Sequence, residues 1–162
     1  AALPVTALLG ALLGPELLLL SVAALALMQL GVAWGGGEGI VPPGWDGFIA
    51  LALPWLAGHV TFGPVRLGSA GLAALFALAW GKTWQVTSGR GRALAMGSQL
   101  LAMVSLVALR RPLAAGALFL LLVPQLTLLP WARASASRPA IWFVRYTRPW
   151  LMAAMAVAAL AL

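Results

Sequence analysis

Long hydrophobic blocks alternate with short polar stretches along this chain. Five blocks have the length of a membrane-spanning helix or come close to it: 15–34, 47–62, 67–84, 93–109 and 113–131. A helix rises about 1.5 Å per residue, so about 20 apolar residues cross the ~30 Å hydrocarbon core of a bilayer. Apolar and polar positions do not alternate within the blocks as they do in a half-buried strand, so the pattern predicts helices.

Prolines and one acid refine the expected helices. Pro15 suits the first turn of a helix, where its missing N–H costs nothing, and Glu16 beside it favours the positive end of the helix dipole. Pro54 and Pro124 lie inside the second and fifth blocks. Because proline cannot donate to the preceding turn, both positions predict a bend.

The two ends of the chain are apolar but too short to span a bilayer. Residues 1–13 and 149–162 each look like part of a helix, and a start within an apolar run indicates a piece of a longer protein. We therefore expect an all-α fold, in which residues 1–162 form one polytopic transmembrane helix bundle of about five to six spans.

The composition favours a protein that dissolves in lipid. Hydrophobic residues make up 63% of the chain and charged residues 8%, whereas a soluble domain carries about 25% charged residues. Three acids cannot supply a water-facing surface for 162 residues. The chain has no cysteine, which excludes disulfides and thiolate chemistry.

The positive charges predict how the bundle is oriented. A net charge of +7 would suggest nucleic acid for a soluble protein, but here the basic residues lie between apolar blocks. There they set topology and contact anionic headgroups, so we expect membrane lipid and no nucleic acid as partner. Loops 35–46, 85–92 and 132–148 share one side, which collects Lys82, Arg90, Arg92, Arg133, Arg138, Arg145 and Arg148. The other side has only Arg66, Arg110 and Arg111, so the positive-inside rule places the three loops in the cytoplasm.

Two sets of side chains could bind a ligand. His59 is the single histidine; it either ligates the metal of a chlorin or haem, or relays protons, or caps a helix end by donating to a backbone carbonyl. The stretch GKTWQVTSGRGR holds Lys82, Arg90 and Arg92, which either clamp a diphosphate through bidentate hydrogen bonds or contact lipid headgroups.

The carboxylates are too few to predict a metal site. Glu16, Glu38 and Asp46 are the only acids, and only the last two share a loop. A divalent metal needs several oxygen ligands, so we expect none to be bound by this chain. The GGGEG stretch at 35–39 lacks the Lys-Ser/Thr ending of a phosphate-binding loop and is expected to connect helices.

Two stretches carry a resemblance to a known family. VPPGW followed by IALALPWLAGHVTFG, and the terminal YTRPWLMAAMAVAALAL, resemble in order and spacing the chlorophyll synthase branch of the UbiA superfamily of intramembrane prenyltransferases. The resemblance implies that this chain corresponds to the second half of such a protein, with helices around a central cavity. The family holds prenyl diphosphate through magnesium on aspartate-rich motifs, but here the stretch AWGKTWQVTSGRGRALAMGS contains no acid where the second motif is expected.

The resemblance without its acids implies a catalytically degenerate UbiA-like protein. Such a protein would be a structural or pigment- or lipid-binding subunit of a larger complex in a bacterial inner or photosynthetic membrane. Chlorophyll or another chlorin, carotenoid or lipid would be bound, with His59 as a ligand and other membrane subunits as partners. One alternative is an active prenyltransferase, or half of one, that uses magnesium to transfer a prenyl chain from an allylic diphosphate to an aromatic or chlorin acceptor; no catalytic residue can be assigned to it. A second alternative is a transporter component.

Overall fold

Helices account for 89% of the residues that the structure describes, and no strand occurs among them. The structure is a computed structural model, and it describes residues 14–34, 47–62, 65–134 and 139–162. The helices are α1 (Pro15–Trp34), a π-helical segment (Phe48–Ala52) that leads directly into α2 (Leu53–Phe62), α3 (Leu67–Thr83), α4 (Gly89–Ala108), α5 (Pro112–Ala134) and α6 (Pro139–Leu160). The all-α prediction is confirmed for this part of the chain.

The connection between α3 and α4, one of the three loops predicted on the basic side, is shorter than predicted. Residues 85–92 were expected to form a loop, but α4 already begins at Gly89. Ser88 explains the early start, because its hydroxyl accepts a hydrogen bond from the Gly91 backbone N–H at 2.9 Å and so caps the helix. Its own O–H donates to the Gln85 carbonyl at 2.9 Å, which closes the turn.

The prediction of a loop over 132–148 and a short terminal helix from 149 is also wrong. Helix α6 begins at Pro139, where a proline is favoured, and continues through Pro149 to Leu160. One buried stripe recurs every three or four residues along the whole helix: Phe143, Val144, Thr147, Leu151, Ala154 and Ala158. Packing of this stripe outweighs the single backbone bond that an internal proline removes.

Proline also accompanies the irregular helix before α2. The Leu53 N–H donates to the Phe48 carbonyl, a π-type bond, and Pro54 follows with no N–H to donate. Gly47 precedes this segment and lies so close to α3 that an added Cβ would collide with the Ala77 carbonyl oxygen. The π-helical segment therefore packs directly on the α3 backbone.

The core lies where α3 meets its neighbours. Helix α3 packs against the π-helical segment, α2, α4 and α6, while α5 packs against α4 and α6, and α1 contacts α2. Many of the buried side chains are small, which lets the helix backbones approach closely. The larger core cluster includes Trp55, Leu72, Phe76, Ala77, Ala102, Leu106, Leu118, Leu151, Ala154 and Ala158.

One polar pair joins two helices inside the apolar packing. The Gln99 side-chain amide on α4 donates to the Gln125 amide oxygen on α5 at 3.0 Å, and Gln125 returns the same bond to Gln99 at 3.0 Å. Both side chains are buried. Since every polar atom of a buried amide needs a partner, this exchange fixes how α4 and α5 are aligned.

Large apolar side chains cover much of the described exterior. Val104 on α4 is 62% exposed, and Leu120 on α5 is 69% exposed. Two helical stretches, Gly89–Ala108 and Pro112–Pro130, are long and apolar enough to cross a membrane by length and composition. Over the described ranges the fold is thus all-helical, and these ranges contain two candidate membrane-spanning helices.

Candidate functional site

His59 lies on α2 at the wall of a cleft. Trp55 precedes it by one helical turn, so both side chains share a face of the helix. The two rings stack with their centroids 6.0 Å apart and their planes at 29°. Trp55 in turn stacks on Phe76 of α3, with centroids 5.9 Å apart and planes at 23°. Three aromatic rings therefore run from the core to the half-buried imidazole.

A buried hydrogen bond holds this aromatic column in place. The indole N–H of Trp55 donates to the Ser69 hydroxyl oxygen in the first turn of α3, at 3.0 Å. Trp55 and Ser69 are both buried. An indole N–H in apolar surroundings is costly without a partner, so this bond fixes the ring. The imidazole lines the cleft, and no hydrogen bond joins it to another residue in the part of the chain that the structure describes.

The cleft has a volume of about 830 Å³. This size falls within the range of small-molecule sites, about 300–1,000 Å³. It opens where α2 ends, α3 begins, α4 turns into α5 and α6 ends. Its lining is mainly apolar with a few polar groups: Pro54, Trp55, Gly58, His59, Arg66, Gly68, Ser69, Leu109, Arg111, Met155, Ala159, Leu160 and Leu162.

Two arginines border the cleft, each directly before a helix. Arg66 precedes α3 in an extended conformation, and its carbonyl accepts the first helical bond from Ala70. Arg111 precedes α5, and its carbonyl accepts in the same way from Ala115. Both side chains are exposed at the rim. Among the described lining residues these two carry positive charge and none has an acidic side chain.

The turn before Arg111 has an unusual conformation. Arg110 has a φ of 60°, in the left-handed region that favours glycine. Its N–H donates to the Val107 carbonyl at 2.9 Å, and the Arg111 N–H donates to the Leu106 carbonyl at 2.8 Å. This bond pair is the Schellman motif that ends many helices. It holds Leu109 and Arg111 at the rim of the cleft.

The candidate diphosphate residues lie at the other end of the bundle. The first turn of helix α3 lines the cleft, and Lys82 lies in its last turn. At 1.5 Å per residue, about 24 Å along the helix separates Arg66 at the cleft from Lys82. Arg90 and Arg92 lie in the first turn of α4, so the α3–α4 connection does bring the three residues to one end. The Lys82 ammonium already donates to the Gln85 amide oxygen at 3.2 Å. The candidate diphosphate group and His59 therefore do not share a site.

An arginine near that end has a partner that the sequence analysis missed. The Arg148 guanidinium of α6 lies 4.8 Å from the centre of the Trp80 ring and 5.8 Å from the centre of the Trp84 ring. Such cation–π contacts attach the α6 helix to the end of α3. The four-residue spacing of Trp80 and Trp84 is a signal for a shared face, but it does not name Arg148 as the partner.

Glu38 and Asp46, which share a predicted loop, lie outside the described residues. Within the described ranges, no group of three or more histidine, cysteine or acidic residues is arranged to hold a metal ion.

Comparison with models of protein families, with curated proteins and with solved structures found no match to this chain. The resemblance to the UbiA superfamily therefore rests on the sequence stretches around His59 and Pro149, and it stays a prediction.

Proposed function

We propose that this chain is a helical integral membrane protein that binds an amphiphilic small molecule, a lipid or a pigment, in the cleft beside His59. It serves as a non-catalytic subunit of a larger membrane complex. The observation that carries the proposal is the cleft itself: about 830 Å³ with a mainly apolar lining and an aromatic column along one wall.

The described exterior supports the membrane location. Monomeric soluble proteins rarely expose contiguous apolar patches larger than a few hundred Å². Here α4 and α5 both carry large exposed apolar side chains along their length, and both meet the length and composition of a span. The charged residues at the ends, such as Arg111 beside the cleft and Lys82 at the far end of α3, fit a bundle whose two ends reach the headgroups.

The lining of the cleft favours a ligand whose body is apolar. Trp55, Leu109 and Met155 offer apolar and aromatic surface, and His59 and two arginines supply polar groups toward the rim. Sites for small molecules typically combine such a lining with a few placed polar groups. The stacked imidazole of His59 is suited to ligate the magnesium of a chlorin or to contact a polar ring substituent.

The same proposal includes partner subunits and a relationship to the UbiA family. A UbiA-like protein with only three acids cannot hold magnesium through clustered carboxylates of its own. A binding and assembly role is compatible with this composition. The basic end around Lys82, Arg90 and Arg92 is then a contact for headgroups or for a partner subunit.

Filling the cleft tests the proposal. Gly58 lines the cleft, and a Cβ added there meets nothing within 4 Å, so Gly58→Leu projects a side chain into open space without disturbing the core. Gly97→Leu on α4 is the matched control, since that exposed helical glycine is equally open and does not line the cleft.

The measurement is the ligand content after purification in mild detergent, by absorption spectroscopy and native mass spectrometry. We expect the wild-type chain and Gly97→Leu to retain a stoichiometric small molecule and Gly58→Leu to lose it. An absorption band sensitive to His59→Ala would identify a pigment. Equal ligand content in all variants would refute the proposal, and magnesium-dependent turnover of a prenyl diphosphate would replace it with the prenyltransferase alternative.

A further inference from the structure

We infer that Arg66 and Arg111 bind the phosphate of an anionic phospholipid whose acyl chains lie in the cleft. This inference rests on the proposed function, because it names the ligand class of the same cleft. It concerns the end of the bundle opposite to Lys82, Arg90 and Arg92.

The arginines are the first part of the argument. Arg66 and Arg111 border one cleft although 45 positions separate them in the sequence. A guanidinium presents its N–H donors in a planar fork that matches phosphate oxygens, and two such groups suit one phosphate diester. No described lining residue has an acidic side chain that would neutralise them. The side-chain charge at the rim is therefore complementary to an anion.

The conformation of Arg110 is the second part. A left-handed φ of 60° is unfavourable for a non-glycine residue, and glycine is the usual residue at this place in the motif. The chain nevertheless has a third positive charge here, directly before Arg111 in the sequence. An anion bound at the rim would offset the repulsion between these neighbouring positive charges.

The lining is the third part. Apart from the arginines, the cleft is bordered by apolar residues such as Trp55, Met155 and Ala159, which offer no charge to a ligand. A free phosphate would leave this apolar surface exposed to water. A phospholipid covers the apolar lining with its acyl chains and places its phosphate at the rim. Lipid is also abundant around a protein whose exterior is this apolar. Charge and apolar lining together favour an anionic phospholipid.

The test compares two charge-matched double variants. Arg66→Gln with Arg111→Gln removes two positive charges at the cleft. Arg145→Gln with Arg148→Gln removes two exposed positive charges of α6 that do not line the cleft, so the net charge changes equally. Each purified protein in zwitterionic detergent is titrated with phosphatidylglycerol, phosphatidylcholine and inorganic phosphate, while native mass spectrometry counts bound lipid and a thermal assay records Tm.

We expect phosphatidylglycerol to bind and raise the Tm of the wild-type chain, with phosphatidylcholine and phosphate weaker. The variant at Arg66 and Arg111 should bind phosphatidylglycerol about tenfold more weakly or worse, since a tenfold loss corresponds to only ~1.4 kcal/mol. The variant at Arg145 and Arg148 should bind it as the wild type does. Equal losses in both variants, or equal binding of both lipids, would overturn the inference; so would an effect of inorganic phosphate as large as that of the lipid.

The outcome for Gly58→Leu separates this inference from the proposed function. If that variant expels a bound molecule while the variant at Arg66 and Arg111 keeps its affinity for phosphatidylglycerol, the cleft remains a binding site and the headgroup assignment fails. If Gly58→Leu changes no ligand binding, the proposed function fails as well.

Discussion

The buried amide pair of α4 and α5 yields a prediction about the free energy of unfolding. The size of the expected loss depends on whether one or both glutamines are replaced. Gln99 and Gln125 exchange two hydrogen bonds of 3.0 Å, and each amide also donates to a carbonyl on its own helix, at 3.4 Å to Ala95 and 3.3 Å to Leu121. Gln125→Leu removes both interhelical bonds and leaves the Gln99 amide oxygen without a partner in apolar packing. Leaving a buried polar group unsatisfied costs about 1–3 kcal/mol, so we expect the free energy of unfolding to fall by about that amount.

The double variant should recover part of this loss. Replacing both glutamines by leucine removes both polar groups at once, and such paired replacement in similar shape is close to neutral. Interhelical hydrogen bonds in membranes contribute only about 0.6 kcal/mol on average, with a maximum near 1.7 kcal/mol. We therefore expect the double variant to be destabilised by less than about 1 kcal/mol, below either single variant.

The assay is a double-mutant cycle on the unfolding free energy, measured by denaturant titration in mixed micelles with circular dichroism as the readout. Residues in direct contact typically show coupling of about 0.5–3 kcal/mol, whereas independent sites add within about 0.3–0.5 kcal/mol. Additive losses for Gln99→Leu and Gln125→Leu would refute the reasoning, because they would mean that the two amides do not depend on each other.

Three further substitutions test local geometry by the same unfolding measurement. Gly91→Ala should destabilise by about 1–3 kcal/mol, because the new Cβ would collide with the Gln85 carbonyl oxygen; Gly89→Ala, with open space around its Cβ, should not, and equal effects would contradict the packing. Arg110→Gly should stabilise by up to about 1 kcal/mol, because glycine accepts the left-handed φ of 60°, and a loss of stability would contradict the conformation. Ser69→Ala should cost about 1–3 kcal/mol, since it removes the acceptor of a buried indole N–H, and an unchanged midpoint would mean that the bond is absent.

Hydrophobic blocks predicted where most helices lie because length and apolarity are local properties. The blocks 15–34 and 67–84 match α1 and α3 within a residue. Helix α6 was missed over its first ten residues, because its polar residues and Pro149 gave the stretch the composition of a loop. The buried residues of α6 stabilise this stretch as a helix by packing against neighbouring helices. Such packing depends on the tertiary structure and is not visible in the local sequence.

The candidate site was predictable only in part for the same reason. His59 was recognised because it is the single imidazole. The alternation of loops predicts Arg66 and Arg111 on one side, and the structure has both residues lining one cleft. The alternation did not reveal that cleft, since a cleft depends on how five helix ends converge. Gln99 and Gln125 carried no signal at all, because their pairing depends on the relative shift of α4 and α5.

The connection between α3 and α4 bears on the order in which the protein is assembled. The side-chain hydrogen bonds that close it join residues three positions apart: Lys82 to Gln85, Ser88 to Gln85, and Gly91 to Ser88. Hydrogen bonds this local form quickly and have all their partners within the connection and the first turn of α4 or the last turn of α3. They can therefore form while the ribosome is still making the rest of the chain, whereas burial of Val86 waits for Leu122 of α5 and Phe143 of α6. Early protection of the α3–α4 amides from hydrogen exchange in a chain truncated after 111 would reveal such a nucleus.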